Sequence, residues 1–65
     1  MKVGIIGVGL IGGSLAISAR QYIPDVEIYG SNRSQANLQK SLDLELIDFR
    51  LDEAMIKQMD IILLA

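Results

Sequence analysis

Cysteine and histidine are both missing from this 65-residue chain. Without cysteine there is no disulfide framework and no thiolate zinc site to reinforce a small core. Without histidine the commonest general base and the commonest metal ligand are gone, so no catalytic residue and no metal site are assigned. Positive charge is not in excess either. Six Lys and Arg against eight Asp and Glu give a net charge of −2 and a pI near 4.7, which argues against a nucleic-acid or anionic-membrane surface. A chain this short makes at most one small domain and buries only roughly 60% of the surface its unfolded form exposes.

A long, unbroken apolar run is also lacking. Lys2 precedes an uncharged stretch, Val3 to Ala19, that ends in small residues in the manner of a secretory signal peptide. Five glycines interrupt it, at positions a nucleotide-binding turn would need them. A membrane span wants about 20 predominantly apolar residues, and this run is shorter and glycine-broken. A cytoplasmic protein is expected.

What is present is a glycine fingerprint in the right setting. The apolar run Val3 to Ile6 reads as a buried strand, and Gly7-Val8-Gly9-Leu10-Ile11-Gly12-Gly13-Ser14-Leu15-Ala16 follows it directly. G-x-G-x-x-G between a strand and a helix is a dinucleotide signature. Gly7 permits the tight turn, Gly9 removes the Cβ that would block a pyrophosphate, and Gly12 lets the helix lie close to the sheet. Ala16, one turn on, keeps that contact small. The first-turn N–H groups around Leu10 and Ile11 then face phosphate with the positive end of the helix dipole behind them.

A lone glycine motif is weak, and the flanking pattern adds to it. A helix is predicted over Leu10 to Tyr22, with Ile11, Leu15, Ser18 or Ala19, and Tyr22 turned toward the sheet. Pro24 stops it. A second strand covers Val26 to Ser31, and Ser34 caps a helix reaching about Ser41 whose stripe is Ala36, Leu38 and Leu42. Residues 43–51 read as loop, short strand or both. Asp52 caps a third helix through Lys57 or Gln58, and Ile61-Ile62-Leu63-Leu64 reads as a strand buried on both faces. The predicted class is α/β, a Rossmann-type doubly wound parallel sheet of which residues 1–65 form the N-terminal portion only, with the first strand lying between its neighbours. The chain stops on its most apolar strand, which leads us to expect a longer polypeptide whose continuation covers it.

Cofactor choice turns on one more absence. In NAD-binding members of this fold an acidic residue at the end of the second strand accepts hydrogen bonds from the adenosine ribose. Asn32 stands there, and no Asp or Glu occurs between Ile28 and Leu42. Ser31, Asn32, Arg33 and Ser34 offer hydroxyls, an amide and a guanidinium suited to a 2′-phosphate. NADP is therefore favoured over NAD, and FAD is disfavoured for the same missing acid. The alternative is that Ser-Asn-Arg-Ser is turn and cap chemistry with Arg33 solvated.

With the motif extended through the double glycine and Ser14, the chain resembles the N-terminal domain of prephenate and arogenate dehydrogenases. Similarity continues at Tyr29-Gly30-Ser31-Asn32-Arg33-Ser34, where many members carry an acidic residue before the arginine, at Leu46-Ile47-Asp48, and at Met59 to Ala65. The departure at Asn32 bears on NAD use rather than on the family. The resemblance implies oxidative decarboxylation of prephenate or arogenate with NAD(P) in tyrosine biosynthesis, by a protein that is homodimeric at full length. It also implies a catalytic histidine and a substrate-binding arginine, and neither Arg20, Arg33 nor Arg50 matches that arginine's place. Ser14 stands near the cofactor position but reads equally as a small helix residue. Other β-hydroxyacid-type dehydrogenases and imine reductases share the fingerprint, and a non-catalytic redox-sensing regulator stays open.

Overall fold

A computed structural model of the chain describes every residue except Val8, and Leu10 and Ile11 by backbone alone. Its elements run β1 (Lys2–Ile6), α1 (Leu10–Tyr22), β2 (Glu27–Ser31), α2 (Gln35–Asp43), β3 (Phe49–Arg50), a 3₁₀ helix (Glu53–Gln58) and β4 (Ile61–Leu64). The sheet order is β3-β2-β1-β4 and every pairing is parallel. That is the opening order of a doubly wound nucleotide-binding sheet, in which the chain moves outward from β1 on one side and then crosses back to the other. β1 lies between β2 and β4, as expected.

Strand alternation divides the sheet into two unequal faces. Val3 and Ile5 of β1 share a face with Ile28 of β2, and this face carries both α-helices: Ala16 of α1, Leu38 of α2 and Ile47 complete the buried cluster. Leu15, Ala19, Leu42 and Leu63 pack around it. Ile5, Ile28 and Ile47 are among the largest fully buried side chains, and each contributes about 1.5–3 kcal/mol by leaving water. The opposite face is thinly covered. An added Cβ at Gly4 would lie 3.1 Å from Met59 Cγ and 3.2 Å from Leu51 Cδ2, so these two side chains lie directly over β1 there. Tyr29 stacks on Phe49 with ring centroids 4.9 Å apart.

Several expectations need correction. Tyr22 is 81% exposed, not turned toward the sheet, and Ser18 is exposed too. Gly12, Ala16, Ala19 and Ile23 recur at the helical period and define the facing stripe, and Tyr22 lies well off that line. Ile11, placed on the stripe from the sequence, lies outside the described side chains. Ala36 is exposed, so the α2 stripe is Leu38 and Leu42 with Ser41, whose hydroxyl donates to the Asn37 carbonyl at 3.1 Å. The third helix is 3₁₀ rather than α and buries no residue among its six. β4 is not buried on both faces: Ile61, Ile62 and Leu64 are exposed because it pairs only with β1 and only Leu63 reaches the core.

Two aspartates close the ladders at their amino ends. Before β4, the Asp60 carboxylate accepts from the Lys2 amide at 2.7 Å while the Asp60 amide donates to the Lys2 carbonyl at 2.8 Å. Before β3, Asp48 makes the same exchange with Ile28. The α2 end is equally defined. Glu45 takes a left-handed conformation, φ 59°, with its amide on Leu42 O and the Leu46 amide on Ser41 O, the paired bonds of a Schellman cap.

Candidate dinucleotide site

An open cleft of about 610 Å³ lies at the carboxyl ends of the strands, lined by Ile6, Gly7, Gly9, Ser31, Asn32, Arg33, Leu64 and Ala65. Ile6, Ser31 and Leu64 end β1, β2 and β4, and the other lining residues follow those ends. The cleft thus opens where the chain's direction across the sheet reverses, between β1 and β4, the position at which open α/β sheets take their ligands.

The glycines act as their positions demand. Gly7 has φ +90°, a conformation that L side chains rarely adopt, and its amide donates to the Ser31 carbonyl at 2.9 Å, tying the turn to the end of β2. A Cβ on Gly12 would come within 2.9 Å of the Gly7 carbonyl oxygen and 3.3 Å of Ile5 Cγ2, so the helix start rests against the turn and the strand. At Gly9, beyond its chain neighbours, nothing among the described residues lies within 4 Å of where a Cβ would stand. The space that a side chain would fill is open.

Gly9 is also the N-cap of α1, where no side chain caps the helix and no acidic residue sits in the first turn. The first helical bond runs from the Gly13 amide to the Gly9 carbonyl at 2.8 Å. The amides of Leu10, Ile11 and Gly12 therefore have no acceptor within the helix. Unspent donors, the helix dipole and the open space over Gly9 together fit an anionic group such as a pyrophosphate.

At the other lip, the Asn32 carboxamide oxygen accepts from the Ser34 amide at 2.9 Å and the Ser34 hydroxyl accepts from the Asn37 amide at 3.2 Å. These bonds set the β2–α2 loop and leave Arg33 exposed at its crest. Arg33 makes no hydrogen bond or ion pair among the described residues. Of the residues singled out from the sequence, Gly7, Gly9, Ser31, Asn32 and Arg33 line one cleft; Gly12 stands behind it, Ser34 caps α2, and Leu10 and Ile11 enter through their backbone only. Ser14 is exposed in α1 and does not line the cleft. Leu64 and Ala65 also line the cleft, with no motif in the sequence to mark them. The Ala65 amide donates to the Ile6 carbonyl at 3.0 Å, a pairing 59 residues apart that no local pattern announces.

Among the described residues no cluster of His, Cys, Asp or Glu suited to a metal ion occurs, and no described helix is long and apolar enough to cross a membrane.

No protein-family model matches the chain. Solved structures do. The crystal structure of Synechocystis arogenate dehydrogenase superposes with a TM-score of 0.83 at 34% identity, over 98% of this chain and 23% of that one. Prephenate dehydrogenase from A. aeolicus, solved in complex with hydroxyphenyl propionate and NAD+, superposes at 0.82 and 33% identity, again over 98% of this chain and 23% of that one. The chain spans under a quarter of the length of these proteins. The likeness to prephenate and arogenate dehydrogenases read from the glycine motif thus extends over almost all of it, and its fold is that of the N-terminal part of such Rossmann-type enzymes.

Proposed function

We propose that this chain is the dinucleotide-binding part of a prephenate or arogenate dehydrogenase that favours NADP. The observation that carries the reading is the cleft at the β1–β4 switch point, where an uncapped helix start stands behind Gly9 with no atom of the described residues beyond its chain neighbours in the way. Support for the substrate class comes from the two neighbouring enzymes, an arogenate and a prephenate dehydrogenase, of which this chain matches just under a quarter. A bound nicotinamide would supply the hydride acceptor for the ring carbon bearing the substrate hydroxyl, with the ring carboxylate leaving as CO2 and the hydroxyl proton passing to a base.

The chain's own residues supply binding and orientation. The Leu10, Ile11 and Gly12 amides hold the pyrophosphate, Gly7 keeps the turn below it, and the β2–α2 loop receives the adenosine ribose. The likeness does not choose between the two nicotinamide dinucleotides, since the A. aeolicus enzyme holds NAD+. NADP is favoured on this chain's residues: Arg33 exposed on the loop, Ser31 and Asn32 beside it, and no carboxylate from Tyr29 to Ser41 to repel a 2′-phosphate.

No histidine is present to take the hydroxyl proton. A proton acceptor and a cationic grip on the substrate carboxylate must stand within contact distance of the nicotinamide, so residues 1–65 alone are expected to bind cofactor without oxidising prephenate or arogenate. Calorimetric titration with NADPH and NADH tests the reading. Gly9→Val should abolish binding of both while the fold survives, because its Cβ meets only open space. Arg33→Ala should weaken NADPH by about ten- to a hundredfold, the loss of one charge-assisted contact, and NADH little. Undiminished binding by Gly9→Val, or a wild type preferring NADH, overturns it.

A further inference from the structure

Arg50 lies outside the cleft and has no part in the reading above, yet it is held in an unusual way. It sits on β3 in register with Gly30, the residue before Ser31. Its Nη1 donates to Gln35 Oε1 at 3.2 Å and its Nη2 to Gln39 Oε1 at 2.6 Å, on the first two turns of α2. Both acceptors are neutral amides. Gln39 Nε2 in turn donates a hydrogen bond to Asp43 Oδ1 at 3.0 Å, so along this chain of bonds the carboxylate stands one amide away from the guanidinium.

Arg20 shows the contrast, since it is paired directly with Asp48 at 3.0 Å. A guanidinium gripped by a carboxylate is largely neutralised toward a distant anion. Gripped by two amides, it is fixed in direction and keeps its charge, with the rest of its five N–H donors still to offer. Gln35, one of its anchors, directly follows Ser34 at the end of the loop that carries Arg33. The loop therefore has two cations at its borders, one at its crest and one on the adjoining strand, and neither has an ion-pair partner among the described residues.

We propose that Arg50 is a second determinant of selectivity for a dinucleotide phosphorylated on the adenosine ribose, acting through its charge beside the β2–α2 loop. This rests on the reading of the cleft as an NADP site. Because the charge acts across some distance and partly through solvent, its share is smaller than that of Arg33, on the order of three- to tenfold in affinity.

The test measures NADPH and NADH dissociation constants for wild-type, Arg33→Ala, Arg50→Met and Arg50→Lys proteins, with circular dichroism as the folding check. Arg50→Met, which keeps the stem and removes the charge, should lose affinity for NADPH and keep NADH within about twofold. Arg50→Lys should hold the wild-type NADPH-to-NADH ratio, because charge rather than the bidentate fork is the operative property; this arm decides the matter if the Met variant fails to fold. A Lys variant whose ratio collapses overturns the proposal, as does a folded Met variant that loses both cofactors equally or neither. A wild type without preference for NADPH fails the underlying reading and this proposal together. A preference lost in Arg33→Ala but intact in Arg50→Met fails this proposal alone.

Discussion

Asp48 and Ile28 exchange two hydrogen bonds across the sheet: the Asp48 carboxylate accepts from the Ile28 amide at 2.8 Å, and the Asp48 amide donates to the Ile28 carbonyl at 2.8 Å. The second carboxylate oxygen receives Arg20 Nη2 at 3.0 Å, joining α1 to the same point. Ile28 is fully buried. Removing the carboxylate strands its amide, at a cost of about 1–3 kcal/mol, whereas the ion pair, a third exposed on both sides, is worth about 0–1 kcal/mol. Urea unfolding should therefore rank Asp48→Ala well below Arg20→Ala in stability, with Asp48→Asn between them. Equal losses for the first two would make the ion pair, not the amide, the principal tie.

The adjacent glycines of α1 should respond in opposite directions to the same substitution. At Gly12 a methyl group meets the Gly7 carbonyl oxygen at 2.9 Å, a backbone atom held by its own turn, and Gly12→Ala should cost about 1–3 kcal/mol. At Gly13 the nearest atom is Leu46 Cδ1 at 3.6 Å, ordinary contact. Gly13→Ala should stabilise by up to about 1 kcal/mol through helix propensity. Thermal melts of the two variants read the sign directly.

Glu45 holds the left-handed position of the α2 cap, which glycine fills without strain. Glu45→Gly is expected to stabilise by about 0.5–1 kcal/mol, net of the looser unfolded chain, or roughly 3–6 °C in Tm for a chain of this size. Glu45→Val should lower Tm, a β-branched side chain being least suited to that backbone. A glycine variant that melts below wild type would show the carboxylate to matter more than the backbone.

Burial, the hydrogen bond to Glu27 at 3.1 Å and the Glu27 and Asp48 charges push the Tyr29 phenol above its ordinary value of 10.0. The neutral phenol is the form the fold favours. Its contribution to stability is thus complete below pH 10 and is lost as pH rises through the folded-state value. In a Tyr22→Phe protein, where Tyr29 is the sole tyrosine, the ultraviolet phenolate band should emerge with a midpoint above 10. A midpoint at or below 10 in the folded protein contradicts this.

Local chemistry made part of this fold legible. Leu10–Tyr22 is bounded in the sequence by the glycine turn before it and Pro24 after it, and Ser34 and Asp52 are legible as caps because they are short oxygen-bearing residues directly before a helical segment; their side chains bond amides three residues on. What escaped was set by distance along the chain. Asp48 reaches 20 residues back to Ile28 and Asp60 reaches 58 back to Lys2, and neither carboxylate differs locally from a solvated one. Tyr22 fits the helical period within the tolerance of a pattern, and only the close approach at Gly12 and Ala16 fixes the angle that turns it outward. β3 is two residues long and exposed, too short for any alternation to show. At the cleft the glycines and the Ser31–Arg33 segment were readable from their motif, while Leu64 and Ala65 came in through strand pairing.

The pairing of Val3 with Ile61 has a kinetic consequence. β1 lies between β2 and β4, yet β4 is 58 residues further along, and every ladder in this sheet spans a crossover. Loop closure must be met before those contacts return anything, and topologies built on such distant pairings fold slowly for their size. β1 therefore gains its β4 partner only after β2, α2 and the 3₁₀ helix have been made, and the Gly7 turn, over which Ala65 places its carbonyl oxygen 2.9 Å from a would-be Cβ, depends for its surroundings on that distant pairing.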